Sequence, residues 1–178
     1  GKAEQAEQWL LGARNLLAEN GIQCETISSG GTPDMWRSPT QSVVTEYRPG
    51  TYIYFDRHQV AKGAATLDDC ALPVLSTIVS HPTADRAIID AGSKSLSSDT
   101  LGLTDFGELA GKPGARVTAL SEEHGTLGGD LTGLKIGDKV RVIPDHVCVV
   151  SNLFDEVHLI SGDDVIDILP VAARGKLK

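Results

Sequence analysis

Near the end of the chain, Pro144-Asp145-His146-Val147-Cys148 sets an imidazole and a thiol two positions apart. The surrounding residues read as a β-strand, in which alternate side chains share a face, so the two groups would lie about 7 Å apart on one side. An imidazole nitrogen and a thiolate suit a borderline-soft ion such as Zn²⁺. Two ligands do not complete a site, and the plain alternative is a buried Cys beside a hydrogen-bonded His.

Four further segments carry residue types capable of chemistry. Ser28-Ser29-Gly30-Gly31-Thr32-Pro33 joins two glycines to three hydroxyls. Its backbone N–H groups can approach an anion, with Ser29 and Thr32 adding hydrogen bonds; the bland reading is a loop needing positive φ. Glu46-Tyr47-Arg48-Pro49-Gly50-Thr51-Tyr52 turns at Pro-Gly, and Tyr52 opens a strand with its phenol free to face a cleft. Asp56 then caps the following segment. Asp90 to Asp99 is rich in small residues, and its two acids can fix loop geometry. Lys94 within it has no activating partner in sequence. Ser121-Glu122-Glu123-His124-Gly125 places a His after two acids, as a ligand, a general base or a solvated turn residue. His58, His81 and His158 read as structural or surface residues.

These segments need elements to hold them. Ala6, Trp9, Leu10, Ala13, Leu16 and Leu17 recur at helical spacing, and Asn20-Gly21 forms a C-cap. Ile22 to Ile27 and Thr51 to Phe55 read as strands. From about residue 70 short strands follow one another: Val74–Val79, Arg86–Ile89, Ala115–Ser121, Lys139–Ile143, Val147–Val150, Glu156–Ile160 and Val165–Leu169. Gly, Asp and Pro turn signals separate them, and Ile136-Gly137-Asp138-Lys139 is a tight turn. The expected fold class is α+β. Residues 1–60 form the tail of an α/β domain, and residues 61–178 an antiparallel β-barrel or sandwich. One helix and two strands cannot cover both faces of a parallel sheet, so the first part calls for a completing partner or a preceding segment.

The 178 residues carry a net charge of −8, which argues against nucleic-acid binding. No apolar run approaches the roughly 20 residues of a membrane span. The odd, scattered cysteines Cys24, Cys70 and Cys148 fit a reducing, cytoplasmic compartment.

Taken in order, the five segments resemble the C-terminal half of the metal-activated, pyridoxal-phosphate-dependent D-serine dehydratase and D-threonine aldolase family, related to the fold-type III alanine racemases. The resemblance implies a lyase acting on β-hydroxy-D-amino acids, by dehydration or by aldol cleavage. Residues 1–60 would be the end of a TIM-type barrel and 61–178 the β-domain carrying the metal ligands. Ser29, Gly30, Gly31 and Thr32 would hold the cofactor phosphate, with Tyr52 near the cofactor. His146 and Cys148 would bind a divalent metal. Family aldolases often carry Asp where this chain has Cys148, and the softer thiolate favours Zn²⁺ over Mn²⁺ or Mg²⁺. His124 is the candidate catalytic group near the metal. A homodimer is implied, as is an N-terminal barrel half bearing the Schiff-base lysine, which no Lys here matches; the chain alone is therefore expected to be inactive. Two alternatives remain: a non-catalytic β-domain that binds a partner protein, and a metal-free racemase fragment.

Overall fold

The computed structural model describes residues 2–37, 40 and 42–176. Its centre is a closed barrel of six antiparallel strands in the order β3-β4-β7-β6-β5-β8. The strands are β3 (Val74–Thr83), β4 (Arg86–Ile89), β5 (Gly107–Leu109), β6 (Arg116–Leu120), β7 (Gly125–Gly128) and β8 (Lys139–Pro144). Alternation is the cause. In β3, Val74, Ser76 and Ile78 point inward, while Leu75 points to solvent. The inward set Ile78, Ala87, Ile89, Val117, Leu127 and Val142 has no exposed surface and fills the lumen. β3 closes the barrel against β8, with Val74 opposite Val142. At Gly125 a Cβ would lie 2.7 Å from the Ala91 carbonyl and 3.1 Å from Ile89 and Val117, so only Gly lets β7 approach so closely.

Before the barrel, α1 (Lys2–Glu19) ends in a Schellman cap: Ile22 N–H donates to Leu17 C=O at 2.9 Å and Gly21 N–H to Ala18 C=O at 3.0 Å, with Gly21 at φ +78°. Two short strands, β1 (Ser28–Ser29) and β2 (Glu46–Tyr47), pair in parallel. A short helix, α2 (Arg57–Ala61), leads into the barrel, and α3 (Ser93–Leu96) follows β4. After the barrel, α4 (Val147–Ser151) is followed by a two-stranded hairpin, β9 (Glu156–Ser161) and β10 (Asp164–Pro170). Among the described residues no helix is long and apolar enough to cross a membrane.

The structure corrects three expected strands. Pairing begins at Ser28, not across Ile22–Ile27, and Thr51–Ile53 is a 3-10 turn, so Tyr52 does not open a strand. Val147–Val150 is helical. Its β-branched residues favour a strand, but the ladder stops at Pro144, which has no N–H to donate, and a buried carboxylate caps Val147 N–H. In the barrel two strands escaped sequence reading, β5 and β7, because each is only three or four residues long and carries glycine, and outside it so did the two-residue strands β1 and β2.

Leu127, wholly buried at the barrel centre, gives a direct test of this core. Leu127→Ala should cost about 2–5 kcal/mol of unfolding free energy, measured from urea titrations. A loss below about 1 kcal/mol would show that the lumen is not packed as described.

Candidate functional site

The glycine loop is shaped by β1 and β2. The Tyr47 ring lies directly over Gly30, where a Cβ would sit 1.6 Å from Tyr47 Cε2, and Gly30 adopts φ +84°. Tyr47 O–H donates to Gly31 C=O at 2.8 Å. Gly31 itself is open: the nearest atom to a Cβ placed there is Pro33 Cδ at 3.8 Å. Thr32 is buried, and its Oγ1 accepts the N–H groups of Gly50 and Tyr52, each at 3.2 Å. A hydroxyl has two acceptor sites and one donor, so Thr32 keeps its O–H to offer. Donors beside an unobstructed glycine fit a phosphate group. Tyr52 is 47% exposed.

His146 and Cys148 lie at the junction between β8 and α4 rather than along one strand. His146 is the N-cap of α4, in extended conformation, and Cys148 is the second residue of the helix. Alternation therefore does not set their relation; distant partners do. His146 Nδ1 lies 2.8 Å from Asp99 Oδ2, and Asp99 is held below the usual carboxylate range by that bond first, then by Leu101 N–H. With Nδ1 so engaged, Nε2 is the nitrogen left for a metal ion. Cys148 Sγ is exposed and lies 3.3 Å from Thr51 Oγ1. Among the described residues no group of three or more His, Cys, Asp or Glu side chains gathers around an ion position. The pair fits a metal as two ligands, one imidazole and one thiol, with the other coordination positions supplied from elsewhere.

What holds this junction is a buried pair of residues from α2. Asp56 has no exposed surface. Its Oδ1 accepts Gln59 N–H at 2.9 Å, capping α2, and its Oδ2 accepts Val147 N–H at 3.0 Å, capping α4. His58 N–H donates to Asp145 C=O at 3.3 Å. Beside it, the buried Arg57 bonds to Asp105 and Asp145, and its Nε is 3.4 Å from Glu108. Arg116 reaches Asp105 at 3.3 Å and Glu108 at 3.4 Å. Burial works against the Arg57 charge, but Asp105 and Asp145 outweigh it and raise its pKa. Burial also pushes Asp145 up to about 6 against the pull of Arg57, and Asp145 Oδ2 has no hydrogen-bond partner.

The other two segments meet each other. The Ser121–Gly125 turn joins β6 to β7, with Ser121 N–H donating to His124 C=O at 2.8 Å. From α3, Lys94 Nζ lies 2.6 Å from Glu123 and 3.1 Å from Glu122. These acids, Glu123 first, raise the Lys94 pKa, the reverse of what an amine nucleophile needs. The exposed His124 does not gather with His146 and Cys148 into a three-membered cluster. The structure thus bonds Thr32 to the amides of Gly50 and Tyr52 on either side of Thr51, sets Thr51 on Cys148, joins His146 to Asp99, and places Lys94 beside the acids preceding His124. Sequence reasoning missed Asp99 as the His146 partner, Arg57 as a buried cation, and Thr51. Only Asp56, a capping residue ahead of a helix, left a local signal.

Residues 71–160 match the family described as a putative serine dehydratase domain. A D-threonine aldolase of Arthrobacter sp. is 34% identical over 176 residues, covering 96% of this chain and 45% of the relative. The D-serine dehydratase of Dictyostelium discoideum is 33% identical over 170 residues, covering 84% and 43%. A solved structure of D-threo-3-hydroxyaspartate dehydratase, a cysteine-to-alanine variant in the metal-free form, superposes with a TM-score of 0.82 at 26% identity, covering 94% of this chain and 49% of that one. The chain spans about half the length of the curated relatives it matches.

Arg57→Met would leave three carboxylates buried with one partly exposed guanidinium. The expected loss is about 3–5 kcal/mol of stability in urea unfolding. A neutral outcome would mean the cluster is wetter than its burial indicates.

Proposed function

On the premise that this chain belongs to the family of the putative serine dehydratase domain, we propose that it is the C-terminal part of a lyase dependent on pyridoxal phosphate and a divalent metal, acting on β-hydroxy-D-amino acids. The observation that carries the reading is the His146–Cys148 junction, with Asp99 on the far nitrogen of the imidazole and Thr51 on the thiol. The D-serine dehydratase and D-threonine aldolase relatives support the substrate class, and the dehydratase variant solved in a metal-free form supports metal dependence.

In this reading His146 Nε2 and Cys148 Sγ hold the metal, zinc by the softness of the thiolate. Backbone N–H groups at Gly30 and Gly31, with the Thr32 O–H and Ser29, would hold the cofactor phosphate, with Tyr52 near the cofactor. Pyridoxal phosphate supplies an electron sink, and the metal polarises a hydroxyl oxygen. The chain's own contribution is placement. Asp99 keeps the His146 proton on Nδ1, and Asp56 orients the peptide between the two ligands. His124 serves as a proton-handling group. Lys94, protonated against Glu122 and Glu123, is not the Schiff-base lysine, which lies in the barrel half that precedes this segment in the family pattern. The chain alone is therefore inactive, and the intact enzyme is a homodimer divided near residue 60.

A second reading, a β-domain that binds a partner protein, draws on the β9–β10 hairpin, which exposes Leu159, Ile160, Val165, Ile166, Ile168 and Leu169. Co-expression with a barrel half from a family member separates the two: pyridoxal absorbance and cleavage or dehydration of D-threonine or D-serine support the lyase, and continued inertness supports the binding domain. A metal-free racemase would keep full activity in chelator.

Metal analysis tests the ligand assignment. The chain should hold close to one equivalent of zinc, and His146→Ala or Cys148→Ala should remove most of it; negligible zinc in the unaltered chain would sink the assignment. Asp99→Ala should weaken metal binding roughly 10- to 100-fold while the chain stays folded. Unchanged affinity would remove Asp99 from the site.

A further inference from the structure

We propose that Thr51 is a positioning residue for Cys148, and that it ties the geometry of the glycine loop to the metal seat. The inference rests on the metal reading above and goes beyond it by assigning the residue that links the two halves of the site.

Thr51 is pinned on both sides. The amides flanking it, Gly50 N–H and Tyr52 N–H, both donate to the buried Thr32 Oγ1 at 3.2 Å. Its own carbonyl accepts Tyr54 N–H at 3.1 Å and Phe55 N–H at 2.7 Å, closing the 3-10 turn. A β-branched side chain on a fixed backbone has few rotamers, so its hydroxyl is aimed rather than merely near. That hydroxyl lies 3.3 Å from Cys148 Sγ across 97 residues of sequence. A metal-bound cysteine is a thiolate with no proton. Thr51 O–H must then donate, in a charge-assisted bond that draws the sulfur to one position.

Among the described residues, Cys148 is otherwise held through its backbone. Asp56 fixes the preceding amide, and Ser151 Oγ donates to the Cys148 carbonyl at 3.1 Å. His146 has Asp99 as its orienting partner; Thr51 is the corresponding partner of Cys148. Because Thr32 holds the amides of Gly50 and Tyr52 on either side of Thr51, a change in the glycine loop reaches the sulfur through two hydrogen-bonded steps.

The experiment titrates the whole chain with Cd²⁺, reading the thiolate-to-cadmium charge-transfer absorbance and the affinity against a competing chelator. Cys148→Ala should abolish the band. Thr51→Val keeps the shape of the side chain and removes the hydroxyl; it should weaken affinity about tenfold, the low end for groups that orient metal ligands. Thr51→Ser should restore it. Thr32→Val, which removes the acceptor for Gly50 and Tyr52, should weaken affinity in the same direction although Thr32 makes no bond to the sulfur. Circular dichroism checks that each variant is folded. Unaltered affinity in Thr51→Val, or no rescue by Thr51→Ser, overturns the positioning role while leaving the metal reading standing. Unaltered affinity in Thr32→Val overturns the link to the glycine loop. No cadmium band in the unaltered chain overturns the metal reading, and this inference with it.

Discussion

The Asp56 carboxylate, without exposed surface, accepts one backbone N–H on each oxygen: Gln59 at the start of α2 and Val147 at the start of α4. A negative charge at two helix beginnings satisfies orphan amides and meets the positive ends of the peptide dipoles. The second bond spans 91 residues and falls on the peptide between His146 and Cys148. It caps the helix that begins there and so fixes the backbone that carries both side chains. From that backbone, Asp99 and Thr51 then aim the imidazole and the thiol.

Arg57, next in sequence, docks the same element onto the barrel. Its partners come from the approach to β5, from β5 and from the end of β8, the strands that pair as Gly107 with Pro144. Gathering charges out of water costs more than apolar packing would, so this cluster is poor evidence of extra stability. Its effect is positional. Three carboxylates converge on one guanidinium, a planar donor fork that accepts few arrangements, and α2 has one seat as a result.

The segment from Asp90 to Asp99 plays a similar part. Asp90 accepts Ser76 Oγ–H and Thr77 N–H on β3 at 2.7 Å, Ser93 and Lys94 hold the turn before β7, and Asp99 reaches His146. Its run of small residues permits close passage: a Cβ at Gly92 would lie 2.4 Å from the Glu122 carbonyl. Hydrogen bonds along one strap thus connect the β6–β7 turn and the β8–α4 junction, both of which carry histidines.

The barrel strands β3, β4, β6 and β8 and the first helix were legible because their information is local. Two-residue alternation in Val74–Ile78 and helical spacing in Ala6–Leu17 depend only on which neighbours are apolar, and Asn20-Gly21 stops a helix by its own backbone preference. Membership of the family was also legible, as five short segments in order. What the sequence could not reveal is how those segments meet. Val147–Val150 carries the composition of a strand, and a carboxylate far away in sequence makes it a helix. Thr51 and Asp99 look like ordinary loop residues until the fold sets them against Cys148 and His146. Within the barrel strands, periodicity determined which residues are buried, since burial there depends on one face of one element. Only the tertiary structure decided which polar groups pair, because hydrogen bonds between distant segments are chosen by where a closed barrel leaves their donors and acceptors.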